Sequence, residues 1–138
     1  MSQRHLSDVI RRAPITLPAT ATVQQACKTM MQHHIGAVLV VDKHDHLEGI
    51  FTGRDAVKLL SQPGDHAHAP LHSVMTRNPD HMTPTHNAID ALRLMHDGGF
   101  RHVPIVEHGK VVGITSIGDF RSHEHARHDE ETGFWERL

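Results

Sequence analysis

Gly113-Ile114-Thr115-Ser116-Ile117-Gly118-Asp119 decides the fold, because the chain has already used its pattern once, as Gly49-Ile50-Phe51-Thr52-Gly53-Arg54-Asp55. Each stretch is a glycine, an apolar residue, a spacer, a hydroxyl and then, three residues on, an aspartate. Upstream, the apolar run Val103-Pro104-Ile105-Val106 stands to the second stretch as Val38-Leu39-Val40-Val41 stands to the first. Further out, Met95 answers Met30, Ala91 answers Ala26, Pro79 answers Pro14, and Leu71-His72-Ser73-Val74 answers Leu6-Ser7-Asp8-Val9, all at an offset of 65 residues. The offset falls to 64 in the turn between the apolar run and the glycine, so one deletion relates two complete copies. Self-similarity at a fixed period marks a repeat architecture.

Both copies predict the same elements. A short turn, Leu6 to Ile10 or Leu71 to Met75, precedes an extended stretch at Ile15-Thr16-Leu17 or His81-Met82-Thr83. A helix follows. In the first copy Thr22 is its expected N-cap, with Val23, Ala26, Cys27, Met30 and Met31 on one face; in the second, Ala88, Leu92 and Met95 take that face and Gly98-Gly99 stops it. Two hairpins come next, Ala37–Val41 with Leu47–Phe51 and Val103–Glu107 with Val111–Thr115, joined by short polar turns. Their apolar runs predict strands covered on both faces. A second helix is expected from Arg54 or from Gly118. One copy of this size has little interior of its own, so the two are expected to share burial. The division predicted is 1–65 for the first repeat and 66–138 for the second with a charged tail, and Ser61 to Pro70 is the linker.

Composition narrows the function. The 138 residues are 22% charged and 38% hydrophobic, a globular balance. With a net charge of −2 and no basic tract, nucleic acid is not an expected partner. The single cysteine excludes a disulfide framework and suggests a reducing compartment. No run of 18 apolar residues occurs and the first residues do not read as a signal peptide, so a cytoplasmic protein with no membrane partner is expected. Sixteen histidines raise the question of metal. His66, His68 and His72 cluster in the linker, and His123, His125 and His128 near the end. They form no His-Glu-x-x-His signature, since Arg127 stands where the second histidine would be. No metal site is assigned. Nothing pairs a nucleophile with a base, so no catalytic residue is assigned and no enzyme is expected. Phe134-Trp135 in the tail could dock on its own domain or on a partner.

Thr52-x-x-Asp55 and Ser116-x-x-Asp119 have two readings on their own terms. A hydroxyl followed three residues later by a carboxylate at a helix start is a capping box, which stabilises by about 1 kcal/mol. The same place offers free N–H donors and partial positive charge to a phosphate. An ionised carboxylate there can accept from two adjacent ribose hydroxyls.

These two stretches, together with Phe100-Arg101-His102-Val103-Pro104-Ile105-Val106, resemble the cystathionine β-synthase (CBS) domain family, whose tandem pairs are called Bateman modules. The resemblance covers residues 6 to about 122. It implies an α+β fold of two β-α-β-β-α repeats packed about a pseudo-two-fold axis, here free-standing, with a cleft between them. It also implies a non-catalytic regulatory module that binds AMP, ATP or another adenosine compound, uses no further cofactor, and associates as a homodimer with a regulated protein partner. Carried onto this sequence, the ligand residues are Thr52, Arg54, Asp55, Ser116 and Asp119 for ribose and phosphate. Thr16, Ala37, Val38, Met82, His102, Val103 and Pro104 would line the adenine slots. Arg101 would be the phosphate clamp; the first copy has Gly36 there, which leaves its site without that cation. The alternative is a dimerising scaffold or interaction subunit with a vestigial cleft.

Overall fold

The computed structural model describes residues 4–9 and 13–119. In chain order these form α1 (Leu6–Val9), β1 (Thr16–Pro18), α2 (Val23–His33), β2 (Ala37–Val41), β3 (Leu47–Thr52), α3 (Gly53–Leu60), a 3-10 turn (Leu71–Ser73), β4 (Thr76–Arg77), α4 (Ala88–Gly98), β5 (His102–Glu107), β6 (Lys110–Ser116) and a second 3-10 turn (Ile117–Asp119). The mixed architecture and its two-fold repetition are those expected from the sequence.

The long helices follow from their caps and stripes. Thr22 Oγ1 accepts from the N–H of Gln25 at 3.1 Å, and Gln25 Oε1 accepts from the N–H of Thr22 at 2.8 Å, a reciprocal cap. From there α2 buries Val23, Ala26 and Met30, and it ends on His34 in the left-handed region at φ 53°. Offset by 65 residues, α4 buries Ala88, Ile89, Ala91, Leu92 and Met95 and ends on Gly99 at φ 70°. Cys27 is half-buried, and burial pushes its thiol pKa up. Met31 was expected on the inner face but is 76% exposed. It lies one residue, about 100° of rotation, past Met30 and outside the buried stripe.

β1 to β4 make one sheet in sequence order. β1 runs parallel to β2, with Thr16 opposite Leu39 and Leu17 opposite Val40. β3 and β4 continue antiparallel, with Ala37 opposite Thr52 and Gly49 opposite Arg77. All five residues of β2 are buried, as its apolar run predicts. In the second copy β5 and β6 form a two-stranded sheet. The extended stretch expected at His81-Met82-Thr83 survives only as a parallel bridge from Met82 to Ile105, in the register of Leu17 on Val40. Pro104 explains the loss: in the first copy Leu39 N–H donates to Ile15 O at 3.2 Å, and proline at the matching position has no N–H to give.

By contact the chain forms two compact units. Among the described residues, one gathers those up to Ala13, Asp80–Glu107 and Val112 to Asp119; the other gathers Pro14–Pro79 and His108–Val111. Neither is continuous in sequence, because the copies exchange their leading segments. Leu6 N–H donates to His86 O at 2.8 Å and Ala88 N–H to Arg4 O at 2.8 Å. The counterparts, again offset by 65, are Leu71 N–H to Ala21 O at 2.8 Å and Val23 N–H to Ala69 O at 3.0 Å. Leu6 is therefore fully buried against Met82, Leu92 and Val103, and Leu71 against Ala26, Val38 and Phe51. Among the described residues, no helix is long and apolar enough to cross a membrane.

Candidate ligand site

In the first-copy unit Thr52 ends β3 in an extended conformation and caps α3. Thr52 Oγ1 accepts from Asp55 N–H at 3.1 Å, and Asp55 Oδ2 accepts from Thr52 N–H at 2.9 Å. The capping box expected from the spacing is thus present. The N–H of Gly53 donates to Gly36 O at 3.0 Å, so the entry to β2 lies beside the motif. Thr16 stands on the other side of β2, opposite Leu39. Thr16, Thr52 and Asp55 are half-buried, and Arg54 is exposed. Ala37 is buried and Val38 fully so within the core, where only its backbone is left for a ligand. The motif glycine has a packing reason: a Cβ on Gly49 would lie 2.6 Å from Met75 Sδ and 2.8 Å from Thr76 O.

The second-copy turn is built differently. Asp119 Oδ2 accepts from Ser116 N–H at 2.7 Å, from Ser116 Oγ at 3.3 Å and from Thr115 Oγ1 at 3.3 Å. The Ser116 hydroxyl thus donates to the carboxylate, where Thr52 accepts from the backbone. Thr115, which sequence reasoning passed over as a spacer, is fully buried. Its place beside Ser116 was the available signal. In both units the turn's hydrogen bonds to the aspartate end on Oδ2, and among the described residues neither Oδ1 accepts one.

Ile117 N–H donates to Arg101 O at 3.0 Å, which sets Arg101 and His102 against this turn. Arg101 is exposed and His102 half-buried. Burial, and then the Arg101 charge, hold the His102 pKa below the ordinary histidine range, while Asp119 pulls the other way. Pro104 is buried, and Met82 and Val103 belong to the core. The expected set therefore divides. Thr52, Asp55, Ser116, Asp119, Arg101 and His102 gather at two turns in corresponding positions of the repeat, whereas the side chains of Val38, Met82 and Val103 pack inward. Sequence reasoning missed Arg4, whose Nη2 donates to Asp119 O at 3.5 Å. Those residues are 115 apart in the chain, and no local spacing connects them.

Two shallow depressions in the first-copy unit run along Leu17, Pro18 and Thr20, and of the expected ligand residues only Thr16 borders either. Among the described residues no three His, Cys, Asp or Glu side chains converge as metal ligands would. His123, His125, His128 and Phe134-Trp135 lie outside the described residues.

The CBS domain family profile matches residues 6–62 and 71–125. A CBS domain-containing protein of Arabidopsis thaliana, CBSCBSPB1, is 38% identical over 104 residues, covering 75% of this chain but only 19% of its own length. The Bacillus subtilis protein YhcV is 31% identical over 114 residues, covering 83% of this chain and 81% of its own. Among solved structures, the CBS-domain protein ATU1752 of Agrobacterium tumefaciens is 33% identical with a TM-score of 0.78, covering 83% of this chain and 94% of its own. The CBS domain pair of MJ0100, in complex with 5′-methylthioadenosine and S-adenosyl-L-methionine, is 26% identical with a TM-score of 0.77, covering 91% and 95%. PAE2072 of Pyrobaculum aerophilum, complexed with AMP, shares the fold at 22% identity and a TM-score of 0.82, covering 91% and 98%. Two profile matches, in the register of the internal repeat, lead to one conclusion: the chain belongs to the CBS domain family, as a tandem pair of CBS domains.

Proposed function

We propose that this pair is a non-catalytic regulatory module that binds adenosine-containing ligands, AMP, ATP or another adenosine compound, at the Thr52–Asp55 and Ser116–Asp119 turns. The observation that carries the reading is the arrangement of the two carboxylates. Oδ2 of each is held by its own turn, while Oδ1 takes no hydrogen bond among the described residues. A fixed carboxylate with an open oxygen suits a pair of ribose hydroxyls, because it needs no reorganisation to accept them. The MJ0100 pair with its two adenosine compounds supports the same ligand class. A cytoplasmic setting, inferred from the lone Cys27, and a regulated protein partner complete the proposal.

A second reading, association through the helices, rests on Met31 at 76%, Val57 at 67% and Leu60 at 80% exposure on α2 and α3, which pack together. We propose a homodimer on that basis. Light scattering that gives only the 15.4 kDa monomer at micromolar concentration would remove it.

The ligand reading is tested by a thermal-shift screen of AMP, ADP, ATP, NAD and S-adenosylmethionine, followed by calorimetry on an Asp55→Asn/Asp119→Asn double variant. A ligand at 100 times its Kd adds about 2.7 kcal/mol of stability. The amide keeps the cap but removes the charge, so binding is expected to fall while the fold persists. A double variant that binds as the wild type does would overturn the assignment, and a screen without shifts would favour the scaffold.

A further inference from the structure

Arg4 stands before α1, yet its side chain serves the other end of the chain. Its carbonyl is fixed by the N–H of Ala88 at 2.8 Å, its neighbour His5 bridges to Asn87, and its half-buried guanidinium donates to Asp119 O at 3.5 Å. The exchange of leading segments thus delivers a cation to the Ser116–Asp119 turn. In the first-copy unit the same exchange delivers Ala69, held by Val23 N–H at 3.0 Å. The contrast recurs at the strand entries, where Arg101 and His102 answer Gly36 and Ala37. Arg4, Arg101 and His102 therefore surround one turn. At the other turn the matching positions hold no basic residue, and Arg54 alone is basic within the motif.

We propose that Arg4 is a ligand-binding residue of the second-copy site, and that with Arg101 it selects adenosine ligands bearing a phosphate, while the first-copy site takes adenosine ligands without one. This rests on the adenosine reading above. A guanidinium has five donors in a planar fork suited to two phosphate oxygens. A charge-assisted bond from a guanidinium N–H to a phosphate oxygen is roughly twice as strong as one to a neutral carbonyl.

The test is calorimetry of AMP and of adenosine on the full chain, as wild type, Arg4→Ala and Arg4→Lys. The alanine variant is expected to lose AMP affinity roughly tenfold at one site while adenosine binding holds. Its AMP binding should also depend less on salt, and lysine should restore part of the loss. The ratio of AMP to adenosine affinity is the readout, since a merely structural loss lowers both. An unchanged ratio in Arg4→Ala overturns the inference and leaves the adenosine reading standing. A wild type that binds neither compound overturns both.

Discussion

The carbonyl oxygen of Arg101 accepts from the N–H of Ile117 at 3.0 Å, and in the other copy Gly36 accepts from Gly53 at the same distance. The backbone of the two sites is therefore one design used twice, and the side chains at the strand entries make the difference. Arg101→Ala leaves that backbone bond in place. It is expected to weaken AMP by tenfold or so, about the value of a hydrogen bond between charged groups, and to spare adenosine. Equal losses for both ligands, or none, would show that Arg101 is not the phosphate clamp.

The geometry at Asp119 makes a second expectation about sugar. Oδ2 is already held by Ser116 N–H at 2.7 Å, so a ribose must be recognised through the other oxygen. Removing the 2′-hydroxyl leaves that carboxylate short of a donor, at a cost of about 1–3 kcal/mol in a dry site. Calorimetry should find 2′-deoxy-AMP weaker than AMP. Equal affinities would reduce both aspartates to helix caps.

What the sequence discloses and what it hides divide along one physical line. Thr22 as a cap, the stripe of Ala88, Leu92 and Met95, and the Thr52–Asp55 box are set by neighbours three or four residues away, so their spacing displays them. Ser116–Asp119 shows the limit even there: the pattern matches, but Ser116 donates where Thr52 accepts. The exchanged segments are held by bonds such as Leu6 to His86, which leave no periodic trace, and Arg4 was missed for that reason. Val38 and Val103 were read as slot residues, and both are fully buried in core clusters, because one apolar run serves a slot or a core equally well.

The exchange has a consequence for fragments. A piece spanning residues 1–65 lacks Leu71 and Met75, both buried in the first-copy core. A piece spanning 14–79 includes them. Losing one fully buried leucine side chain typically costs 2–5 kcal/mol, which a unit this small cannot absorb. Fragment 14–79 should therefore show the better dispersed amide spectrum and slower hydrogen exchange. Equal protection in the two fragments would contradict the importance of the exchange.

The helix ends invite a paired substitution. His34 and Gly99 close α2 and α4 at φ 53° and 70°. A side chain in that region is strained and glycine is not. Gly99→Ala should destabilise by about 1 kcal/mol, for conformational reasons alone, because an added Cβ there meets nothing within 4 Å. His34→Gly should stabilise by up to about 1 kcal/mol. Urea midpoints would measure both, and shifts of the same sign would refute the argument.

His102 links the second-copy site to pH. It is half-buried beside Arg101 and Asp119, with Arg4 on the carbonyl of Asp119, and burial is the first cause of its lowered pKa. In the unfolded chain it takes a proton near the ordinary value of about 6.5; in the folded chain it does so only at lower pH. Between those values the unfolded state binds more protons, so stability rises with pH. The contribution is complete above the unfolded pKa and is lost as pH falls toward the folded one. His102→Asn removes this titration and leaves the other histidines as they were. From neutral pH down to about pH 5, the unfolding temperature of the wild type should therefore fall more steeply than that of the variant. A bound phosphate would reverse the bias by favouring the imidazolium, so on binding AMP the wild type should take up more protons than His102→Asn does, the titration of the AMP phosphate itself being common to both. Calorimetry in buffers of different ionisation enthalpy measures that uptake. Parallel stability curves for wild type and His102→Asn, with equal proton uptake on binding AMP, would show that His102 does not couple the site to protons.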